Sequence, residues 1–427
     1  MDRQHELLLA VLKDEVQPAL GCTGPTVFSY VAAEARDAVG GIPRRIIIKA
    51  DKDKCAKEND VGIPGTQVLG VKMAAALGAF AGDPKAKLEV LHSVTPEMEK
   101  AAYDFTNSGN VILEPDWETP LIGIYVDITV ETDMGVGRAI VVRMHTNLVY
   151  KSANGKVIHE KPFNRIESIK EEKNDYIAGC KIRDMYDFAL NVPLDELNFL
   201  YESVRMNKKL AGVVLNGELG SAFALSMLSR GKKDFIYQAK ALTAAAAEAR
   251  MVGYNLPAMS CATSGNVGIT ASLPIISIAE TLEKKEEDML RALAFSFLLT
   301  ILGKNRIGRQ SAMCACMVTA SLGVAGAATM LLGGNLKQIE MSINNTIVNV
   351  FGVVCDGARR ACALKLSSAV GIALEGVLLA LDGITVDSGE GVCRNSADES
   401  INFIGRHAKE GMLESDMILC KLLLGEQ

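Results

Sequence analysis

Six of the ten cysteines, Cys22, Cys261, Cys314, Cys316, Cys355 and Cys362, lie in glycine-rich, charge-poor stretches at helix ends. A thiolate is both a soft metal ligand and a nucleophile. Glycine beside it lets the backbone approach a bulky group, and bare amides can hydrogen-bond anionic sulfur. Leu20-Gly21-Cys22-Thr23-Gly24-Pro25 and Val353-Val354-Cys355-Asp356-Gly357-Ala358-Arg359 both have this character. Thiolates drawn from separated segments are what an iron–sulfur cluster uses, although the clustered ligand spacing of ferredoxins is absent. Cys55, Cys180, Cys393 and Cys420 stand singly among charged or aliphatic residues and read as incidental small apolar side chains.

A second constellation runs from Thr263 to Pro274, where Ser264, Gly265 and Asn266 open a helix. Amides and hydroxyls at a helix start bind carboxylates or phosphates, and the same residues also serve as plain helix caps. Neither the Walker nor the dinucleotide glycine spacing is present. Among the five histidines, His145 ends a strand-like run and can reach a cleft as a proton carrier or serve structurally. No Gly-x-Ser-x-Gly or Cys–His signature of a hydrolase occurs.

The elements that must position these groups follow from patterning. With 427 residues, the chain has room for two or three domains at about 150 residues each. Helix is expected over 2–14 and through Val39, a strand over Arg44–Ala50, a helix over Gly65–Gly82 and a strand near Leu88–Val94. Strict alternation over Gly123–Thr132, then Gly137–Thr146 and Leu148–Val157 with a turn at Asn154-Gly155, predicts an antiparallel or mixed sheet. The charged stretch Ser168–Asn174 marks a linker. Beyond it the pattern is helical throughout. The expected fold is α+β: an α/β domain over 1–170, whose first forty or so residues pack toward a helical domain over 175–427 with a glycine-rich central helix.

Forty-five basic against 51 acidic residues leave a net charge of −6, without the basic excess that nucleic-acid binding requires. The N-terminus lacks the apolar run of a signal peptide, and the cysteines do not form a disulfide framework, so a reducing cytoplasm is the expected location. From Gln310 to Leu336 no charged residue occurs, long enough to span a bilayer. Its Gly, Ser, Thr and Cys content, without flanking Trp or Tyr, reads instead as a central core helix. No membrane or nucleic-acid partner is expected, and a homo-oligomer is left open.

Five stretches occur in order: Pro18-Ala19-Leu20-Gly21-Cys22-Thr23-Gly24-Pro25, the Ser264-Gly265-Asn266-x-Gly268-Ile269-Thr270-Ala271-Ser272-Leu273-Pro274 loop, Cys314-Ala315-Cys316, Leu331-Leu332-Gly333-Gly334-Asn335, and Cys355-Asp356-Gly357-Ala358-Arg359 with Cys362-Ala363-Leu364-Lys365-Leu366. Together they resemble the L-cysteine desulfidases and relatives sharing the α-chain-like domain of bacterial iron–sulfur L-serine dehydratases. The resemblance implies a PLP-independent lyase with a 4Fe–4S cluster held by three cysteines. Mapped here these are Cys22, Cys314 and Cys355, with Cys316 as the alternative to Cys314. This chain departs from the pattern at Val267, where the family commonly has Gln, at Ala315, where it has Gly, and at Ala247-Glu248-Ala249-Arg250-Met251, where it has a Ser-Asp-Ala-Arg-Met stretch.

The implied reaction is β-elimination from a small L-amino acid, L-cysteine to pyruvate, ammonia and sulfide, with L-serine or L-threonine dehydration and a non-catalytic cluster or ligand-binding role as alternatives. Ser264, Gly265 and Asn266 are assigned to the substrate carboxylate, with Arg250 and Lys365 as counter-charges. Glu15, His145 and Asn59 are the candidates for the base or its orienting partner. The N-terminal segment bearing Cys22 must then pack against the helical half, and the active site is expected at that junction.

Overall fold

In the computed structural model residues 2–20, 23–118, 124–163, 172–220, 223–231, 234–308 and 310–425 are described. The β-branched run of β2 (Pro43–Asp51) forms the spine of a six-stranded sheet. It pairs in parallel with β3 (Val111–Asp116), Ile46 opposite Val111, and antiparallel with β4 (Tyr125–Thr132), Ile46 opposite Val130. The meander continues through β5 (Gly135–Val142), β6 (Leu148–Ala153) and β7 (Lys156–Glu160), giving the order β3-β2-β4-β5-β6-β7. Asn154 and Gly155 both take positive φ, 50° and 79°, as a two-residue hairpin turn of the right twist demands.

One face of the sheet is covered by α2 (Thr23–Val39) and α4 (Val71–Ala81). Their approach is close enough that a Cβ on Gly78 would lie 2.0 Å from the Ser29 carbonyl oxygen, and the Ser29 hydroxyl donates to the Ala74 carbonyl at 2.7 Å. The smaller apolar core, with Phe28, Val31, Ile46, Ile48, Leu77 and Ile128 fully buried, fills this layer.

Among the described residues from 172 onward, beginning with α6 (Glu172–Gly179), the chain is helical apart from one short strand. Pro193 divides α7 (Ile182–Asn191) from a 3₁₀ segment (Leu194–Leu200) that leads into α8 (Tyr201–Leu215). Next come α9 (Phe223–Arg230), α10 (Phe235–Met251), α11 (Gly265–Thr281), α12 (Glu286–Ile307), α13 (Ala315–Leu331), α14 (Leu336–Val350), α15 (Cys362–Leu381), α16 (Ala397–Arg406) and α17 (Leu413–Leu423). The larger core runs through these helices and takes in Leu8, Leu9, Val11 and Leu12 of α1 (Arg3–Glu15). After α1, the three-residue β1 (Pro18–Leu20) pairs antiparallel with β8 (Pro257–Met259), Ala19 opposite Ala258.

Several sequence expectations are corrected. The strand near Leu88–Val94 is a 3₁₀ turn over Pro84–Glu89, because Pro84 starts it, Asp83 caps the Lys85 amide at 3.0 Å and Lys87 turns left-handed at φ 52°. The helix expected from Gly65 begins at Val71, since Gly65 and Gly70, at φ 76° and 90°, keep the preceding loop out of helical geometry. β3 and β8 were not anticipated. The uncharged Gln310–Leu336 stretch holds a 17-residue helix, α13, with nearly every side chain buried. Among the described residues α15 is the one helix long and apolar enough to cross a membrane, and 56 % of its apolar window is buried inside the fold. The linker expectation falls partly on 164–171, outside the described residues.

The contact of α2 with α4 predicts that Gly78→Ala costs at least about 2 kcal/mol, since the new methyl meets backbone that cannot repack. Equilibrium denaturation measures it, and an unchanged midpoint would show that the two helices separate freely.

Candidate functional site

Backbone pairing brings two of the cysteine loops together. An isolated antiparallel bridge joins Met313 to Val354; the Cys314 amide donates to the Val353 carbonyl and the Cys355 amide to the Ala312 carbonyl, both at 2.8 Å. Cys314 precedes α13 as its N-cap residue, and Cys316 lies in the first turn. The Cys314 thiol is hydrogen-bonded with both Cys316 and Cys355 and is thereby raised well above its ordinary pKa. Its proton, shared toward its neighbours, draws them the other way. Cys355 is lowered to about 6, first by Cys314, with Lys57, the Gly357 amide and Lys304 adding to the effect against burial. Cys316 is lowered by Cys314 and Lys304. Cys362, at the start of α15, senses both Cys316 and Cys355, and burial pushes its thiol up to about 12. Cys316, Cys355 and Cys362 all keep part of their surface open.

The turn after Cys355 depends on glycine. Gly357 takes φ 104°, and a Cβ there would lie 2.4 Å from the carbonyl oxygen of Lys57. The adjacent Ala358 amide donates to that carbonyl at 2.9 Å. Lys57 ends α3 (Lys52–Lys57), the short helix that follows β2 directly, and beyond it Asp60 pairs with Arg359 at 2.8 Å.

The helix start at residue 264 borders the thiols. The Ser264 hydroxyl lies 3.9 Å from the Cys316 sulfur and caps α11 by accepting from the Val267 amide. Ala262 and Thr263 take positive φ, 47° and 67°, a strained pair for residues with side chains. Arg250, buried at the end of α10, donates to the Asn266 side-chain oxygen at 3.1 Å, and a Cβ on Gly265 would lie 2.3 Å from its Nε. Ser264, Gly265, Asn266 and Arg250 are therefore one constellation beside Cys316. Lys365 is engaged with Asp356 on the Cys355 side of the site. Val267 is fully buried in the larger core, so the polar group it replaces does not stand on an open surface.

Of the residues considered for base chemistry, Glu15 is held through its backbone, whose carbonyl accepts from Ala262 at 3.0 Å. His145 follows β5; burial, with the Lys54 cation adding to it, lowers its pKa to about 3. Lys54 pairs with Glu58 at 3.1 Å, and the Glu58 carboxylate presses on Gly24, 2.1 Å from where its Cβ would be. His145 and the start of α2 at Gly24 thus border one Lys54–Glu58 pair. Asn59 instead lines a groove with Gln67, Leu69, Lys72 and Tyr103, separate from the thiols. Cys22 and Gly21 lie outside the described residues.

Sequence reasoning missed Lys57 and Lys304, the buried lysines that act on the thiols. Lys57 belongs to a run, Lys52-Asp53-Lys54-Cys55-Ala56-Lys57, that reads as a solvated face. Lys304 does carry a signal: a cation following the apolar Phe297–Gly303 turns of α12. The four cysteines set aside, Cys55, Cys180, Cys393 and Cys420, are all buried.

The serine dehydratase alpha chain profile matches residues 85–421. The chain belongs to the serine dehydratase alpha chain family. It is 39 % identical over 426 residues to a UPF0597 protein of Caldanaerobacter subterraneus subsp. tengcongensis, covering 99 % of both chains. A UPF0597 protein of Clostridium tetani is 34 % identical over 98 % of each, and one of Phocaeicola vulgatus 35 % identical over 99 % of this chain and 98 % of its own. The matched span takes in Cys314, Cys316, Cys355 and Cys362 together with Lys304 and Lys365.

The environment of His145 yields a pH test. Its folded pKa is depressed from 6.5 to about 3, so the unfolded chain takes up a proton that the folded chain refuses, and stability is lost as pH falls through that window. His145→Gln removes this loss. Denaturant melts at pH 7 and 5 should show the parent losing as much as about 2 kcal/mol more than the variant; parallel losses would mean that His145 is as protonatable in the fold as in water.

Proposed function

We propose that this chain is an iron–sulfur lyase that eliminates the β-substituent of a small L-amino acid, with L-cysteine converted to pyruvate, ammonia and sulfide. The observation that carries the reading is the convergence of Cys314, Cys316 and Cys355 beside the Ser264–Asn266 helix start. Soft sulfur donors, an amide directed at the Cys355 sulfur and two buried lysines suit a 4Fe–4S cluster, whose thiolate ligands bring excess negative charge. Cys355 and Cys314 are taken as ligands with Cys22 as the third; Cys316 and Cys362 are the neighbouring thiols against which that choice is tested.

A cluster held by these cysteines would supply Lewis acidity for the elimination. The chain's own residues do the rest. The α11 amides and Ser264 receive the carboxylate, with Arg250 beneath Gly265 adding positive charge and Asn266 orienting it. His145 is held neutral and so can accept the Cα proton, and negative charge brought into the site raises its proton affinity. Glu15, tied to Ala262, is the other candidate beside this loop. Elimination breaks the Cα–H and Cβ–S bonds and releases hydrosulfide and aminoacrylate. Tautomerisation and hydrolysis by water then give pyruvate and ammonia.

L-serine is the second reading, favoured by the family's description as serine dehydratase alpha chain. It differs by one atom in the leaving group. Thiolate leaves more readily and is the softer partner for iron, which favours cysteine.

Anaerobically reconstituted protein is expected to be brown with about four irons per chain, as a cubane cluster requires. Cys355→Ser and Cys314→Ser should lose the iron and Cys393→Ser should keep it. Full iron in Cys314→Ser with loss in Cys316→Ser or Cys362→Ser would reassign that ligand, and colourless parent protein would sink the cluster. Loaded enzyme should turn over L-cysteine faster than L-serine. The reverse order makes it a dehydratase, and no turnover of either substrate makes it a non-catalytic relative.

A further inference from the structure

Four charged side chains are buried together beneath the Cys355 turn, and of them the lyase reading uses the Lys57 charge alone. Lys52 and Lys57 come from α3, as does Asp53, while Asp416 comes from α17, near the far end of the chain. Each ammonium bridges both carboxylates: Lys52 Nζ lies 2.7 Å from Asp53 and 2.6 Å from Asp416, and Lys57 Nζ lies 2.5 Å from each. The Asp416 side chain is wholly buried and no other carboxylate of the quartet comes from outside α3. The four charges cancel. Asp53, Asp416 and Cys420 also bring ligand atoms within 4.8 Å of one another, but the two ammoniums already occupy the place a cation would take.

We propose that Asp416 is a positioning residue for the cysteine site. By pinning the Lys57 side chain, it fixes the Lys57 carbonyl on which the turn from Cys355 to Ala358 is hung. The links are continuous: Asp416 to Lys57 Nζ, the Lys57 carbonyl to the Ala358 amide at 2.9 Å, and Gly357 flat against the Lys57 backbone. A buried pair like this stabilises little over an apolar substitute, but it tolerates few alternative arrangements, so it serves register more than strength. The consequence for a cluster rests on Cys355 being a ligand. The clasp itself does not.

The test uses full-length Asp416→Asn, with the double variant Lys57→Met plus Asp416→Leu as a charge-balanced companion should the single one fail to fold. In cluster-free protein, hydrogen exchange of the peptide spanning 355–359 should be at least tenfold faster in the variants, while exchange over β4 stays unchanged. In reconstituted protein, iron release to a chelator should be at least fivefold faster. Unchanged exchange over 355–359 in folded variants overturns the proposal. Faster exchange with unchanged iron release overturns its link to the cluster. Parent protein that takes up no iron overturns the lyase reading instead, and leaves the exchange measurement to decide the clasp.

Discussion

Burying charge on α3 is the constraint from which the rest of the arrangement follows. Lys52, Asp53 and Lys57 sit within one short helix that follows directly from strand β2, with Asp51 capping it through the Lys54 amide at 2.9 Å. Burial of two ammoniums against a single carboxylate would leave a net charge in a medium that solvates it poorly. Asp416 supplies the missing negative charge, so α17 has to return to the α/β half. Once α3 is fixed on both sides, its last carbonyl is available at one place only, and the Ala358 amide takes it. Cation–π contact of Lys421 with Trp117, 5.6 Å from the ring centroid, adds a second seam between α17 and the sheet side.

The thiols pack on the larger, helical core, and the α/β half brings charge up to them. The helical half contributes Cys314, Cys316, Cys355 and Lys304; the α/β half contributes Lys57 and the Gly24–Glu58–Lys54–His145 cluster. Between them, Gly62 lies against Gly253, its Cβ position 2.6 Å from the Gly253 nitrogen, which carries the loop after α3 past the end of α10 and Arg250. Backbone contact this close needs glycine on both strands of the crossing.

How much of this was legible in the sequence depends on whether the deciding interaction was local. The β4–β7 meander could be read because alternation and the Asn154-Gly155 turn are properties of neighbouring residues. So could the core nature of α13, whose composition already argues against lipid. β8 was invisible, because three residues become a strand only when β1 arrives from the far end of the chain. β3, ending in Glu114-Pro115-Asp116, looks like a turn until its parallel pairing with β2 is known. The cysteine loops announced themselves by glycine content, and Ser264 by its place before an apolar helix. Lys57 did not, because a charged run reads as solvated unless its partner, here more than 350 residues away, is in view.

Electrostatics then sets what such a site can hold. The Cys314 proton is shared toward Cys316 and Cys355 and, with the Lys57 and Lys304 cations, holds their pKa values down against burial. A ligand that binds through these sulfurs must displace that proton, because the lone pairs involved are the ones that coordinate. The lysines then face more negative charge than before, and their attraction grows in the low dielectric of a buried site. The Asp53–Asp416–Cys420 group is not an equivalent site. Its cations are the protein's own, held at 2.5 to 2.7 Å, and an incoming metal ion would have to evict two ammoniums that have no water to go to.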